Sequence, residues 1–277
     1  VLVVAGLVIA YGPETEKEPQ GVPLFNSGEK FSRIAVYEND DLRFALERAG
    51  EAWRLVAPIE LPAARFHVDS LLDALHAPAS RRYPLDETDP AALGLAAPEW
   101  RVEVDGQRLL LGDSTALGRQ RYLQMGDHVY LVNEMLVYQL KRDPFDYADK
   151  RLLPLLSGAL DIRSVELPSG QVIERAGNGW TVTPADGELS GDALQATVSA
   201  WENARALRVT PASSVPRDGE VTITFANGGM LRFGVEIRGD ELLLSRAEPA
   251  VTYVLPITAA ADLLQVTAGS PVEPAGE

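Results

Sequence analysis

An internal repeat constrains this chain more than any other feature of it. Leu46-Glu47-Arg48-Ala49-Gly50-Glu51-Ala52-Trp53 returns 127 positions later as Ile173-Glu174-Arg175-Ala176-Gly177-Asn178-Gly179-Trp180, with five of the eight residues identical. The surroundings return as well. Each copy follows a short alternating apolar segment and is closed by a proline just past the tryptophan, Pro58 or Pro184. A helical stretch, a strand pair and a tyrosine-bearing strand (129–132 or 251–254) then follow in the same order, with Tyr130 and Tyr253 standing 123 apart. Recurrence in order at a nearly constant offset identifies a duplicated structural unit. The fold class expected is therefore α+β, with two tandem duplicated units at 32–150 and 151–266. Each is expected to be a mainly antiparallel sheet with one principal helix.

Within the units, turn residues and apolar spacing mark the elements. Ile34, Val36 and Tyr37 face Leu42, Phe44 and Leu46 across the turn Glu38-Asn39-Asp40-Asp41, the pattern of a hairpin with one packed face. Asp105-Gly106 is a strong two-residue hairpin signal, and Asn227-Gly228 is a favoured hairpin turn. Phe66, Leu71, Leu72 and Leu75 share one helical face before Pro78, and Leu194, Val198 and Trp201 do so in a helix expected over about 191–206. Asp89-Pro90 and Asp143-Pro144 read as helix starts, the second opening a connecting helix over 147–156. Trp53 and Trp180, each following an Ala-Gly turn, are read as core anchors of the second strand of a hairpin. The Pro, Gly and Glu-rich tail at 267–277 is expected to be disordered.

Composition narrows function mainly by exclusion. A formal net charge of −15 and the lack of a basic stripe argue against nucleic acid as a partner. The absence of cysteine removes disulfides and thiolate chemistry. Residues 1–11 are apolar throughout, and Val1, Leu2, Val3, Val4, Leu7, Val8 and Ile9 with the interfacial Tyr11 read as the end of a transmembrane anchor. The segment 12–31, acidic at its start and carrying three prolines, reads as a linker on the non-cytoplasmic side.

The search for reactive groups yields little. His67, His76 and His128 lack the one-turn spacing of a zinc pair, and no cysteine supports them. Asp143, Asp146 and Asp149 recur every three residues, and Asp86, Glu87 and Asp89 cluster. Neither group has the glycine and terminal glutamate of a calcium loop, and capping accounts for Asp89 and Asp143. Ser114 lies in Gly112-Asp113-Ser114-Thr115-Ala116, which lacks the second glycine of a nucleophile elbow. No phosphate-cradling loop and no dinucleotide fingerprint is present, so no cofactor is expected. A pair of carboxylates brought together from distant strands stays open, because spacing does not test it.

The order of motifs resembles one family. Leu46 to Pro58, Leu93-Gly94-Leu95 with Pro98, Leu111-Gly112, the Tyr122 strand and Val129-Tyr130-Leu131-Val132 together resemble the bacterial domain of unknown function numbered 4340, over about 33–184 with a weaker second copy. The resemblance implies one N-terminal transmembrane helix, an extracytoplasmic body and the company of ABC transporters of the gliding-motility type. It brings no activity and no catalytic residue with it. The expectation is thus a non-catalytic accessory subunit of the bacterial inner membrane, its body in the periplasm, contacting an ABC transporter permease or auxiliary membrane subunits. The alternative is a module that holds a glycan, lipid or peptide between its two units. A hydrolase using dispersed carboxylates is a third reading.

Overall fold

Two-residue turns set the register of both sheets. In the computed structural model, which describes residues 21–26, 28–153, 161–185, 189–212 and 218–266, Asn39 and Asp40 have φ of 50° and 68° and join β1 (Arg33–Glu38) to β2 (Asp41–Ala49). Positive φ at both central residues matches the turn twist to the strand twist, and Asn and Asp tolerate it better than other side chains. Asp105 and Gly106, at 46° and 85°, do the same between β6 (Trp100–Val104) and β7 (Gln107–Ser114). The rest of the first unit comprises β3 (Ala52–Ala57), β4 (Leu61–Pro62), α1 (Arg65–His76), β5 (Arg81–Pro84), β8 (Gln120–Met125), β9 (His128–Asn133) and α2 (Glu134–Leu140). They form one sheet in the order β4-β3-β2-β1-β6-β7-β8-β9-β5, antiparallel at every pairing.

The second unit runs β10 (Ile162–Glu166), β11 (Val172–Ala176), β12 (Gly179–Thr183), α3 (Gly191–Asn203), β13 (Arg208–Pro211), β14 (Gly219–Phe225), β15 (Met230–Arg238), β16 (Glu241–Arg246), β17 (Val251–Pro256) and α4 (Ala259–Leu264). Its sheet order is β12-β11-β10-β14-β15-β16-β17-β13. Element for element this is the order of the first sheet with β4 left off. Trp53 pairs with Arg48 and Trp180 with Arg175, and the peptide bonds before Pro58 and Pro184 are both cis. Among the described residues the protein is thus mostly β, two antiparallel sheets of nine and eight strands with few helices.

Each sheet is packed by two helices. Val68, Leu71 and Leu75 put one stripe of α1 into the core, and α1 lies against α2. In the second unit Ala193, Leu194, Thr197, Val198 and Trp201 are the buried stripe of α3, which lies against α4. Ser190 caps α3, its Oγ accepting from the Ala193 N–H at 3.2 Å. Trp201 is fully buried, and its indole N–H donates to the Leu263 carbonyl at 2.9 Å, fastening α4 to α3.

The connection between units departs from expectation. Over the described part of 147–156, a short 3-10 turn at Pro144–Tyr147, opened by Asp143, gives way to a non-helical segment from Ala148 to Leu153, and 154–156 lie outside the described residues. Its amides are taken by β4 on one side and by the chain just past α3 on the other. Asp149 N–H donates to Pro62 O at 2.8 Å and Leu152 N–H to Ala204 O at 3.2 Å, so no helical ladder is formed. Similarly, Asp89-Pro90 opens a turn, the Asp89 carboxylate accepting from Ala91 N–H, and no helix follows. The anchor residues Val1 to Tyr11 and the tail at 267–277 lie outside the described residues. Among those described, no helix is long and apolar enough to cross a membrane.

Candidate functional site

A concavity lies where the outer edge of the first sheet meets the connector. It has a volume of about 600 Å³. Its aromatic wall is Trp53 at the start of β3, held opposite Arg48 of β2 by the Gly50-Glu51 turn. Gly50, at φ 65°, supplies the positive φ that such a turn requires. Trp53 is half-buried, whereas Trp180 is 8% exposed, so the expectation of two core tryptophans holds for Trp180 alone.

Three guanidinium groups line this groove, and each has a carboxylate beside it. Arg48 lies 3.5 Å from Glu51, and Arg65 lies 3.4 Å from Asp69 one helical turn on. Arg151 is held by Asp149 at 2.5 Å and 2.8 Å, and its backbone N–H donates to the same carboxylate at 3.1 Å. Asp149 is only 7% exposed, so a buried carboxylate fixes the Arg151 side chain before any ligand arrives. The result is an electrically balanced wall of planar donors and acceptors beside an indole face. Such a surface suits amide or hydroxyl edges stacked on an aromatic ring. Among the described residues lining it there is no serine.

The other residues singled out from the sequence are scattered. His76 sits at the end of α1 with its two ring nitrogens on the carbonyl oxygens of Leu72 and Glu29, stacked on Phe31 at 4.7 Å. His128 bonds to its neighbour Asp127 at 2.6 Å. The His67 Nδ1 is buried with no hydrogen-bond partner, and burial, followed by the Arg142 charge, lowers its pKa below the usual histidine value. Ser114 accepts from Arg121 at 2.9 Å, and Arg121 is in turn paired with Glu134 at the same distance, a cross-strand lock with no histidine in it. Asp143, Asp146 and Asp149 take separate partners: the Phe145 amide, Arg142 and Arg151. Among the described residues, no three His, Asp or Glu side chains stand close enough together to hold a metal ion.

The structure also explains two of the short motifs. The Leu93-Gly94-Leu95 turn lies directly on Gly112 at the end of β7, and Asp113 N–H donates to Leu93 O at 2.8 Å. A Cβ on Gly112 would stand 2.1 Å from that carbonyl oxygen, so the two motifs form one contact.

The family described as a domain of unknown function (DUF4340) matches residues 53–218. This chain belongs to that family. The matched stretch begins at Trp53 and ends between β13 and β14, so the DUF4340 match crosses the connector and takes in parts of both sheets. Most of the residues lining the junction groove fall inside it. No curated protein and no solved structure matches the chain. Sequence reasoning missed Asp149 and Arg151 as groove residues because it placed them in a helix. That placement came from the Asp143-Pro144 start signal, which opens only a 3-10 turn over Pro144–Tyr147.

Proposed function

We propose that this DUF4340 protein is a non-catalytic accessory subunit of an ABC-transporter-type complex in the bacterial inner membrane. An N-terminal anchor would hold its body in the periplasm, where it acts through protein contacts. The observation that carries this reading is the charge-balanced junction groove, in which every guanidinium has a carboxylate beside it and an indole supplies the binding face. Such a surface, an indole face set among paired charges, is suited to recognising another protein. The strand orders, which match in every element but β4, support the further proposal that the two sheets descend from one duplicated unit.

Purification of the full-length protein from native membranes in mild detergent should bring an ABC permease or auxiliary subunit with it. Arg151→Ala combined with Trp53→Ala should reduce that recovery at least several-fold. Recovery of the wild-type protein alone under several detergents would end this reading.

A second reading is favoured by the size of the junction groove, about 600 Å³, within the range of small-ligand sites. A short glycan or peptide would stack on Trp53 and bond to Arg48 and Arg151. Calorimetric titration with glycans, lipids and peptides separates this reading from the first. Saturable binding lost in Trp53→Ala supports it, and no heat from any of the three classes dismisses it.

A further inference from the structure

Each unit carries one copy of the same Arg–Trp pair, and the two copies are arranged differently. In the second unit the Arg175 guanidinium lies over the Trp180 ring, 4.6 Å from its centroid, and the indole N–H donates to Gln195 Oε1 at 2.9 Å. Arg175 is fixed there by Asp161 at 2.8 Å and by the Ile162 carbonyl at 3.3 Å. In the first unit Arg48 is turned away from its tryptophan. Its Nε donates to Gly50 O at 2.9 Å and its Nη2 lies 3.5 Å from Glu51, so among the described residues no cation covers the Trp53 ring.

Paired positions of the two copies account for the difference. Glu51, beside which the Arg48 guanidinium lies, stands where the second unit has the neutral Asn178. Aligning β1 with β10 on the pairs Ile34–Leu46 and Val165–Ile173 puts Lys30 at the place of Asp161, so the carboxylate that holds Arg175 over its ring is replaced by a like charge. The helices α1 and α3 align on their first residues, which brings the buried Val68, Leu71 and Leu75 onto the buried Leu194, Thr197 and Trp201. Asp69 then stands at the place of Gln195. It faces Arg65 at 3.4 Å, and the Trp53 N–H has no acceptor among the described residues.

We propose that the uncovered Trp53 ring is a stacking site for a pyranose ring of a neutral glycan, and that Lys30, Glu51 and Asp69 keep this copy open. The charged side chains at the groove, Arg48, Arg65 and Arg151 against Glu51, Asp69 and Asp149, balance one another. A cationic ring would meet Arg48 and Arg151, an anionic one Glu51 and Asp69, and either would have to displace a partner already paired. A wholly apolar ring such as proline would cover the indole but take these ions out of water and return no hydrogen bond. A pyranose meets both demands. Its C–H face is apolar and lies on the indole, and each hydroxyl at its edge donates and accepts, so it bonds to carboxylates and guanidinium groups alike. The buried Asp149 already holds Arg151, so that donor needs no reordering. This inference deepens the small-ligand reading of the junction groove and rests on it.

Trp100, Trp180 and Trp201 are buried and Trp53 is not, so acrylamide quenching of tryptophan fluorescence reports on this one ring. The probes are cellotriose, maltotriose and N,N′-diacetylchitobiose, titrated into the full chain in a detergent without a sugar headgroup. At least one should bind saturably at millimolar concentration or below, protect Trp53 from acrylamide and show ring protons shifted upfield by the indole. Trp53→Ala should weaken that binding at least ten-fold. The combined variant Lys30→Asp, Glu51→Asn and Asp69→Gln rebuilds the second unit's arrangement at exposed positions. It should bring Arg48 over the ring, lowering acrylamide quenching without ligand and saccharide affinity at least ten-fold. No binding by any of the three saccharides, or unchanged affinity in the combined variant, overturns the proposal. So does Trp53-dependent binding of triproline in their stead, which gives the groove to a peptide and leaves the small-ligand reading intact. Permease recovery, measured without added saccharide, tests the accessory reading separately.

Discussion

At the scale of single residues, the positions that matter most are those where an added atom or a proton has nowhere to go. Gly112 is buried under the Leu93 carbonyl, with the Leu95 side chain 3.0 Å from where a Cβ would be. Gly112→Ala must push the turn off the strand and break the Leu93–Asp113 hydrogen bond, a cost of about 1–3 kcal/mol for overpacking. The expected outcome is a lowered urea midpoint with an unchanged slope. His67 has the same problem with a proton. Its imidazolium would have no acceptor at Nδ1 and would stand near Arg142 and Lys150, opposed only by Asp146. Because its pKa is lower in the folded state than in the unfolded chain, the unfolded chain binds more protons as pH drops below the ordinary histidine value. Its stabilising share is therefore complete above about pH 6.5 and is lost as pH falls through the lowered folded value. Urea midpoints measured from pH 7.5 down to 5 should drop less in His67→Gln than in wild type. Parallel curves would show that this ring does not titrate with folding.

At the scale of elements, the edges decide what the sheets can do. Leu61 belongs to a strand of only two residues, yet it seals the β3 edge. Leu61→Ala should cost about 2–4 kcal/mol as a large-to-small change in a packed site. It should also speed hydrogen exchange at Trp53 and Leu55, whose outward amides β4 shelters, while the amides of β7 and β8 stay protected. Uniform loss of protection would mean that β4 is only one part of a single core. The edges are also where the sequence was hardest to read. Asn39-Asp40, Asp105-Gly106 and Asn227-Gly228 were legible because positive φ restricts the residues that can occupy such turns. The stripe of α3 was legible from spacing, and that of α1 in Leu71 and Leu75, but Phe66, read on the same face, is exposed and Val68 is buried instead. The edge strands β5 (Arg-Arg-Tyr-Pro) and β13 (Arg-Val-Thr-Pro) have only four residues each and little alternation, so nothing local marks them. They exist because β9 and β17 are buried along nearly their whole length and need a neighbour. The grooves depend on those tertiary pairings, and for that reason Trp53 read as a core residue when it is a half-buried wall.

For the whole molecule the question is whether two like sheets behave as one body. The connector answers it physically. Going along the chain, Tyr147 O accepts from Ala64 N–H at 2.7 Å and Asp149 N–H donates to Pro62 O, both in the first unit. Lys150 O then accepts from Ala206 N–H at 2.8 Å and Leu152 N–H donates to Ala204 O, both in the second. Tyr147, Ala148, Leu152 and Leu153 are buried in a core cluster continuous with both sheets. Burial raises the pKa of the Tyr147 hydroxyl, which stays protonated and donates to Gln139 O at 2.9 Å. Separating the units would expose these side chains and break bonds on both flanks at once, so unfolding should be a single cooperative transition in calorimetry. Asp149→Ala leaves the Arg151 guanidinium without its carboxylate at this seam. Breaking a buried pair costs about 3–5 kcal/mol, but Arg151 is a third exposed and recovers hydration, so about 1–3 kcal/mol is expected. If the seam couples the sheets, that loss should lower one transition as a whole and raise exchange in α1 and β13 together. Two resolved transitions, with only one displaced by Asp149→Ala, would show that the units fold independently and that the junction groove is assembled from separable parts.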